Sequence, residues 1–570
     1  MPKMTGSKLF AEMMRGYGIT HAFFVPTILM KALAEMESLG IKRIMTHGEK
    51  AAAYMADGYA RASGRPGLCL AQQIGASNLC AGLKDAFLAR TPLLAITGGS
   101  TVTSRYRHAY QELEDFSQFD SVTKFNAQVD DVTRLPDLLR QAFRMATSGS
   151  PGPVHLRLRN KQGDLPPDEL DFQLLIEAQF GKVPPFRPEP EMQRVRDAAA
   201  LLAKAQRPII VSGGGVAASQ AQVELVKLAE KLQIPVATSL NGKGTILETH
   251  PLAVGLVGTY SRTCANRAVS EADLVFFIGS PGGGHVTADW KVPAQGVTVI
   301  QIDIDPAELG RNYPNAVSIL GDAKVTLQRL IETAQRKSAD TAKAWTGRVT
   351  QLVDEWRTEV DRMRKSDAMP MRPERVCRAI SEVLPPNGVL VSDTGHAGMW
   401  TGGMVEMTHT GQRYIRCAGS LGWGFPGSLG VKCALPDRPV ICFTGDGGMY
   451  YHLAELETAA RYGINVVVIV NNNTGLNQEI PLVDAIYGGG STQGDDIWRF
   501  NKSVNFAKTA ESLGCAGIRV EKPGELNDVL RRALGMDRPM VIEVMADEQA
   551  LAPTAWTPKA RYSHSAFSAQ

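Results

Sequence analysis

The chain has 570 residues, of which 44% are hydrophobic and 21% charged, and its formal net charge is +3. That length favours about three or four domains over one, and the composition is that of a folded globular protein, not a disordered one. So small a charge without a long basic block excludes nucleic acid as the expected partner, and no segment reaches the roughly 20 apolar residues that span a bilayer.

The opening segment, MPKMTGSKLFAEMMRGYG, reads as a helix capped by Thr5. It lacks the apolar centre of a secretory leader. Eight cysteines, none in a CxxC pair, sit mostly in apolar runs such as PGLCLA and VICF. They read as reduced core thiols, and a cytoplasmic location is expected.

Strand-like apolar runs alternate with helical patterns along the chain, which predicts an α/β protein of three open, doubly wound parallel-sheet domains. In the first block HAFFVP, PGLCLAQ and PLLAITGG are strands, and the block closes at GPVHLRL. A proline-rich linker, LPPDELDFQLLIEAQFGKVPPFRPEPE, comes next. The second block holds RPIIVSGGG, IPVATSL, ADLVFFIGS and VTVIQIDID, and the third GVLVSD, RPVICFTGD, INVVVIVNNN and PMVIEVM. The expected domains are 1–170, 190–335 and 365–550, with a tail over 551–570.

The third block contains GDGGMYYHLAELETAARYGINVVVIVNNN. RPVICFT reads as a strand, Gly445-Asp446-Gly447-Gly448 as the turn at its end, YYHLAELETAARYG as a helix and INVVVIV as a buried parallel strand. Parallel strands joined by a helix put their carboxyl ends on one sheet edge, where ligands of such sheets bind. Asp446 and the amides at 472–473 therefore meet. A carboxylate and a side-chain carbonyl, with no Cys or His, make a hard oxygen site suited to Mg²⁺ or Ca²⁺. Gly447 and Gly448 let backbone N–H groups approach a phosphate at a helix start. The stretch predicts a metal-bridged diphosphate.

GDG followed by NN at this spacing resembles the cofactor motif of the thiamine-diphosphate enzymes, and the order of the three blocks resembles their decarboxylase and acetolactate-synthase superfamily. The resemblance implies thiamine diphosphate and Mg²⁺ as cofactors, with Asp446, Asn473 and the backbone oxygen of Gly475 as metal ligands. It implies that Glu49, in THGEKAAAYMADGYAR, is the carboxyl group that hydrogen-bonds the aminopyrimidine and promotes its imino tautomer. A glutamate that only stabilises a helix start is the plainer reading. CAGSLGWGFPGSLG resembles the segment that meets the pyrimidine, with the Gly419 carbonyl facing it and Leu421 wedged beneath. VSDTGHAGMW resembles the loop beside the diphosphate, which makes His396 a phosphate contact. The family's arrangement further implies a homodimer or homotetramer with each site at a subunit interface.

For the reaction, RYRHAYQELEDF resembles a stretch whose glutamine, here Gln111, reaches the reaction centre. Glu479 falls where several relatives carry a general acid or base. The expected activity is a carboligase or decarboxylase acting on a 2-oxo acid, similar to acetolactate synthase. Against that stand VPTILMKAL and AQQIGASN, which depart from the synthase pattern (Asn78 is kept), and a segment after the amides without the synthases' tryptophan. The alternative is a 2-hydroxyacyl-CoA lyase, in which the tail residues Lys559, Arg561, Tyr562 and His564 meet a CoA thioester. In the middle block SGGGVAAS is a weak dinucleotide fingerprint with no acid ending the next strand, and His285 stands where flavin-binding synthases have arginine. FAD, ADP or no nucleotide all stay open there.

Overall fold

Eighteen strands form three six-stranded sheets in which every neighbouring pair is parallel, the architecture expected from the sequence. The computed structural model describes residues 3–101, 103–337, 339–489 and 492–558; the four tail residues Lys559, Arg561, Tyr562 and His564 lie outside them. The first sheet comprises β1 (His21–Phe24), β2 (Lys42–Met45), β3 (Gly67–Ala71), β4 (Leu93–Thr97), β5 (Phe125–Gln128) and β6 (Pro153–Arg157) in the order β2-β1-β3-β4-β6-β5. The middle sheet runs β9-β8-β7-β10-β11-β12 with β7 (Pro208–Ser212), β8 (Val236–Thr238), β9 (Ala253–Leu256), β10 (Leu274–Ile278), β11 (Thr298–Asp303) and β12 (Val317–Leu320). The last comprises β13 (Val389–Ser392), β14 (Arg413–Arg416), β15 (Val440–Gly445), β16 (Val467–Asn472), β17 (Ala516–Val520) and β18 (Met540–Met545) in the order β14-β13-β15-β16-β18-β17. The first and last sheets thus share one topology.

Among the described residues the chain divides into two units: one holds the first and last sheets, the other residues 187–337, 339–362, 406–408 and 553–558 with the middle sheet. In the second unit the strand order reverses between β7 and β10, where an α/β sheet offers a ligand crevice. Side chains at Gly213 or Gly215 would overlap Gly279 there. The glycine run is needed for this close backbone packing, whatever else it does.

Within the first unit, α1 (Gly6–Gly16) begins at Thr5, whose hydroxyl accepts the Lys8 N–H at 3.2 Å. α2 (Glu49–Ser63) and α3 (Ala76–Leu88) cover the first sheet, and α4 (Gly424–Ala434) lies against α2. The contact is close because it is built of small residues: a side chain on Gly58 would strike the Gly427 carbonyl, and one on Gly430 the Met55 carbonyl. Tyr54 and Met55 of α2, Phe425 and Leu429 of α4 and Trp423 just before α4 then share one core with both sheets.

The helix expected as one element after the GDGG turn is two: α5 (Asp446–Tyr450) and α6 (Glu455–Arg461), separated by a turn at 451–454. The apolar spacing of Leu453, Leu456 and Ala460 is real. The break lets Tyr451 lie exposed with Lys50 Nζ 5.3 Å above its ring.

A buried ionic cluster joins α2 and α3 to the segment entering α4. Arg61 donates to Asp57 at 2.6 and 2.7 Å and to Asp85 at 2.7 Å. Asp57 also accepts the Trp423 indole N–H at 2.9 Å. Asp85 accepts the amides of Ala418, Gly419 and Ser420 at 2.8–3.1 Å. Burial alone raises the Asp85 pKa, but Arg61 and these amides outweigh it and leave the carboxyl below its ordinary value. Removing the cation leaves two buried carboxylates unpaired, so Arg61→Met should destabilise the protein by about 3–5 kcal/mol, read as a lowered midpoint in urea unfolding.

Candidate active site

β15 and β16 are neighbours in the sheet and end together, with Gly445 opposite Asn471. Asp446, 3% exposed, starts α5; its Oδ1 accepts the Gly447 N–H at 2.8 Å and its Oδ2 the Gly475 N–H at 3.0 Å. Burial pushes its carboxyl up to about 7. The two amides of the motif differ in role. Asn472 is tied on both sides, its Nδ2 donating to Glu543 at 2.8 Å and its Oδ1 accepting the Thr474 N–H at 3.0 Å. Asn473 Oδ1 is buried and has no hydrogen-bond partner. Thr474 has φ +62°, an uncommon state for a β-branched residue, and it reverses the chain so that the Gly475 amide returns to Asp446. Gly447 and Gly448 have no room for side chains, which would press on Leu476 and on Thr444 Oγ1.

Asp393, not singled out from the sequence, organises the loops around this cluster. It directly follows β13, is 1% exposed, and accepts the N–H groups of Thr394 (2.7 Å), Gly422 (3.1 Å) and Gly424 (2.8 Å). Burial raises it to about 6 against those bonds. It thereby fixes the segment bearing Gly419 and Leu421. The Gly419 N–H is held by Asp85, leaving open space where a side chain would stand, and Leu421 is half-buried. His396 Nδ1 meets Asn477 Oδ1 at 2.8 Å and its Nε2 lies 3.5 Å from the Ala552 N–H. Burial lowers the His396 pKa, against the bond to Asn477. Both ring nitrogens are engaged, a neutral arrangement that offers little to a phosphate.

Glu49 is the first residue of α2. Its Oε2 accepts from Asn78 Nδ2 at 3.1 Å, and a side chain at Gly75 would occupy the space of its carboxylate. The junction before it is clamped by α6 of the same chain. Glu455 Oε1 accepts the His47 N–H at 3.0 Å, the Tyr462 hydroxyl accepts the Met45 N–H at 3.0 Å, and Arg461 donates to the Met45 carbonyl at 3.0 Å. Glu457 meets His47 Nε2 at 2.8 Å. The structure therefore gathers Asp446, Asn473 and Gly475 into one cluster and Glu49 with Asn78 into another; no hydrogen bond among the described residues joins the two in this chain. Gln111 lies in the loop after β4 at φ +66° with its Oε1 buried and unpartnered. Glu479 is exposed at the start of α7 (Ile480–Tyr487).

Three family models match the chain in order: the thiamine pyrophosphate enzyme N-terminal TPP binding domain over residues 4–119, the central domain over 195–330 and the C-terminal TPP binding domain over 393–544. The chain belongs to the thiamine pyrophosphate enzymes. Among similar proteins, the probable acetolactate synthase large subunit of Methanococcus aeolicus is 34% identical over 88% of this chain and 85% of its own length. That of Methanocaldococcus jannaschii is 33% identical over 96% and 93%, and the acetolactate synthase large subunit of Haemophilus influenzae 30% over 96% and 95%.

The residues of this thiamine pyrophosphate enzyme fit the cofactor's anionic end. A buried carboxylate raised to about 7 beside an unpartnered buried amide oxygen is a donor set short of a cation. The Glu455 clamp is a second feature that the sequence reading missed; its signal was only a helix of mixed charge. If the clamp aims Glu49, Glu455→Ala should lower turnover by about 100-fold with thiamine diphosphate retention unchanged. Glu455→Gln, which keeps an acceptor for the His47 N–H, should restore most of it. Steady-state rates beside cofactor-binding isotherms check this.

Proposed function

We propose that this chain is a Mg²⁺- and thiamine-diphosphate-dependent carboligase of the acetolactate-synthase kind, acting on a 2-oxo acid. The observation that carries the metal assignment is the unpartnered Asn473 Oδ1 beside buried Asp446. The names of the similar large subunits support the reaction class. Thiamine diphosphate, when bound, supplies a stabilised carbanion that adds to the carbonyl of a 2-oxo acid.

In this reading Asp446, Asn473 and the Gly475 carbonyl hold the cation, and the amides at Gly447 and Gly448 meet the diphosphate at the start of α5. The Gly419 carbonyl and Leu421 receive the pyrimidine end, a placement that Asp85 and Asp393 fix through the neighbouring amides. Glu49 holds a proton at the pyrimidine nitrogen, with Asn78 orienting its carboxyl group. Gln111 and Glu479 are assigned to the substrate side. His396, whose nitrogens are both engaged, serves the shape of the diphosphate loop through Asn477 and is not proposed as a direct phosphate contact.

Following the arrangement of the family, we assign each site to two copies, Glu49 from one and Asp446 from the other. A cytoplasmic location is part of the proposal: none of the eight cysteines forms a disulfide, as in a reducing compartment. The lyase alternative with a CoA thioester gains no support, since the tail residues it relies on lie outside the described structure. A nucleotide in the middle domain is not proposed.

Purified protein given pyruvate, thiamine diphosphate and Mg²⁺ should form acetolactate, and absence of that product would overturn the carboligase reading. Glu49→Gln should reduce the rate by at least about 100-fold while cofactor still binds. The cation needs the ionised carboxylate, whereas burial favours the neutral form of Asp446 below about 7. Cofactor affinity at fixed Mg²⁺ should therefore fall as pH drops below about 7, by about tenfold per unit, and level off above it. Calorimetric titration across that range measures the slope.

A further inference from the structure

A cavity of about 320 Å³ lies in the unit built from the first and last sheets, at the entering ends of their strands. Its wall includes His21 and Lys42, the first residues of β1 and β2, and Val440 and Val467, the first residues of β15 and β16. The metal cluster sits where β15 and β16 leave the sheet. Six residues of strand, at about 3.3 Å each, put roughly 20 Å between the two places. The cavity is therefore separate from the cofactor site, and its size falls within the range of small-molecule pockets.

The wall combines cationic and apolar residues. Lys42, Lys432 and Arg538 line it, with Asp537 as the only carboxylate among the lining residues. Asp537 is engaged by Asn465 Nδ2 at 2.8 Å, and Lys432 Nζ by the Pro436 and Arg438 carbonyls at 2.7 and 2.9 Å. Lys42 and Arg538 form no ion pair among the described residues. Asn465 Oδ1 is buried without a partner, an acceptor left for a donor group. Ile44, Val440 and Ile464 supply apolar wall. Burial, assisted by Lys42, holds the His21 imidazole down to about 4, so the positive charge of the wall comes from the lysines and Arg538.

We propose that this cavity is a second ligand site, taking a small organic anion with an apolar body: the charged end is met by Lys42 and Arg538, the body by Ile44, Val440 and Ile464. The wall also includes Tyr462, whose hydroxyl accepts the Met45 N–H, and Ile44, the residue before Met45. An occupant would thus touch two of the segments that hold the junction before Glu49.

Anilinonaphthalenesulfonate, an anion with an aromatic body, tests the site when titrated into enzyme saturated with thiamine diphosphate and Mg²⁺, with fluorescence as the readout. One saturable class is expected, weakened about tenfold or more by Lys42→Glu and abolished by Leu534→Trp, which fills the cavity. Lys508→Glu, an exposed charge change outside the lining, should leave it unchanged. Absence of saturable binding to the unaltered enzyme overturns the proposal. So does an unchanged affinity in Lys42→Glu, or an equal loss in Lys508→Glu. Should Leu534→Trp fail to fold, the exposed Lys42 variant decides the matter alone.

Discussion

The arrangement of the first unit depends on one buried charge cluster. Asp57 and Asp85 stand on two helices of the N-terminal sheet, and Arg61 between them is shared by both. The same carboxylates reach across to the C-terminal half, Asp57 to the Trp423 indole and Asp85 to three successive amides at 418–420. Apolar packing of α2 on α4 brings the halves together without direction. The ionic cluster gives that contact a register, because each carboxylate accepts from a particular set of amides or from the indole. It also holds the very segment on which Gly419 and Leu421 sit.

The first and last sheets have the same strand order, although no short repeat is visible in the sequence. In both, the chemistry-bearing residues come after strands that leave the sheet at its carboxyl edge: Glu49 after β2, Asp393 after β13, Asp446 after β15 and Asn473 after β16. A parallel sheet collects such positions because every strand ends on the same side. Two sheets of one topology thus offer two such edges, to which the proposed function assigns the carboxyl group on one and the anion and cation cradle on the other.

Local pattern was the part of the fold legible in the sequence. Apolar runs marked the strands, and the alternation with helices predicted parallel sheets. The spacing of Asp446 and Asn473 told of a shared edge because the fold has few ways to connect two buried parallel strands. The different work of Asn472 and Asn473 was not legible, since it depends on Glu543, 71 residues beyond Asn472, lying on the neighbouring strand β18. Asp393, Asp85 and Glu455 were hidden for the same reason: each acts by accepting backbone N–H groups from distant segments, and amides carry no signature in a sequence. The break between α5 and α6 was concealed by a correct apolar periodicity that continues through the turn.

The backbone of Thr474 has a consequence for how the cradle is made. A β-branched residue in left-handed conformation stores about 1–3 kcal/mol, held here by the Asn472 side chain below it and by the Phe500 N–H that its carbonyl accepts at 2.8 Å. The loop is therefore bent beforehand into the form that returns the Gly475 amide to Asp446, so in the proposed reading an arriving ion would not have to fold its own cage. The tension of that bend is borne continuously by the polypeptide, which makes the hairpin at 472–475 the strained point of the cluster.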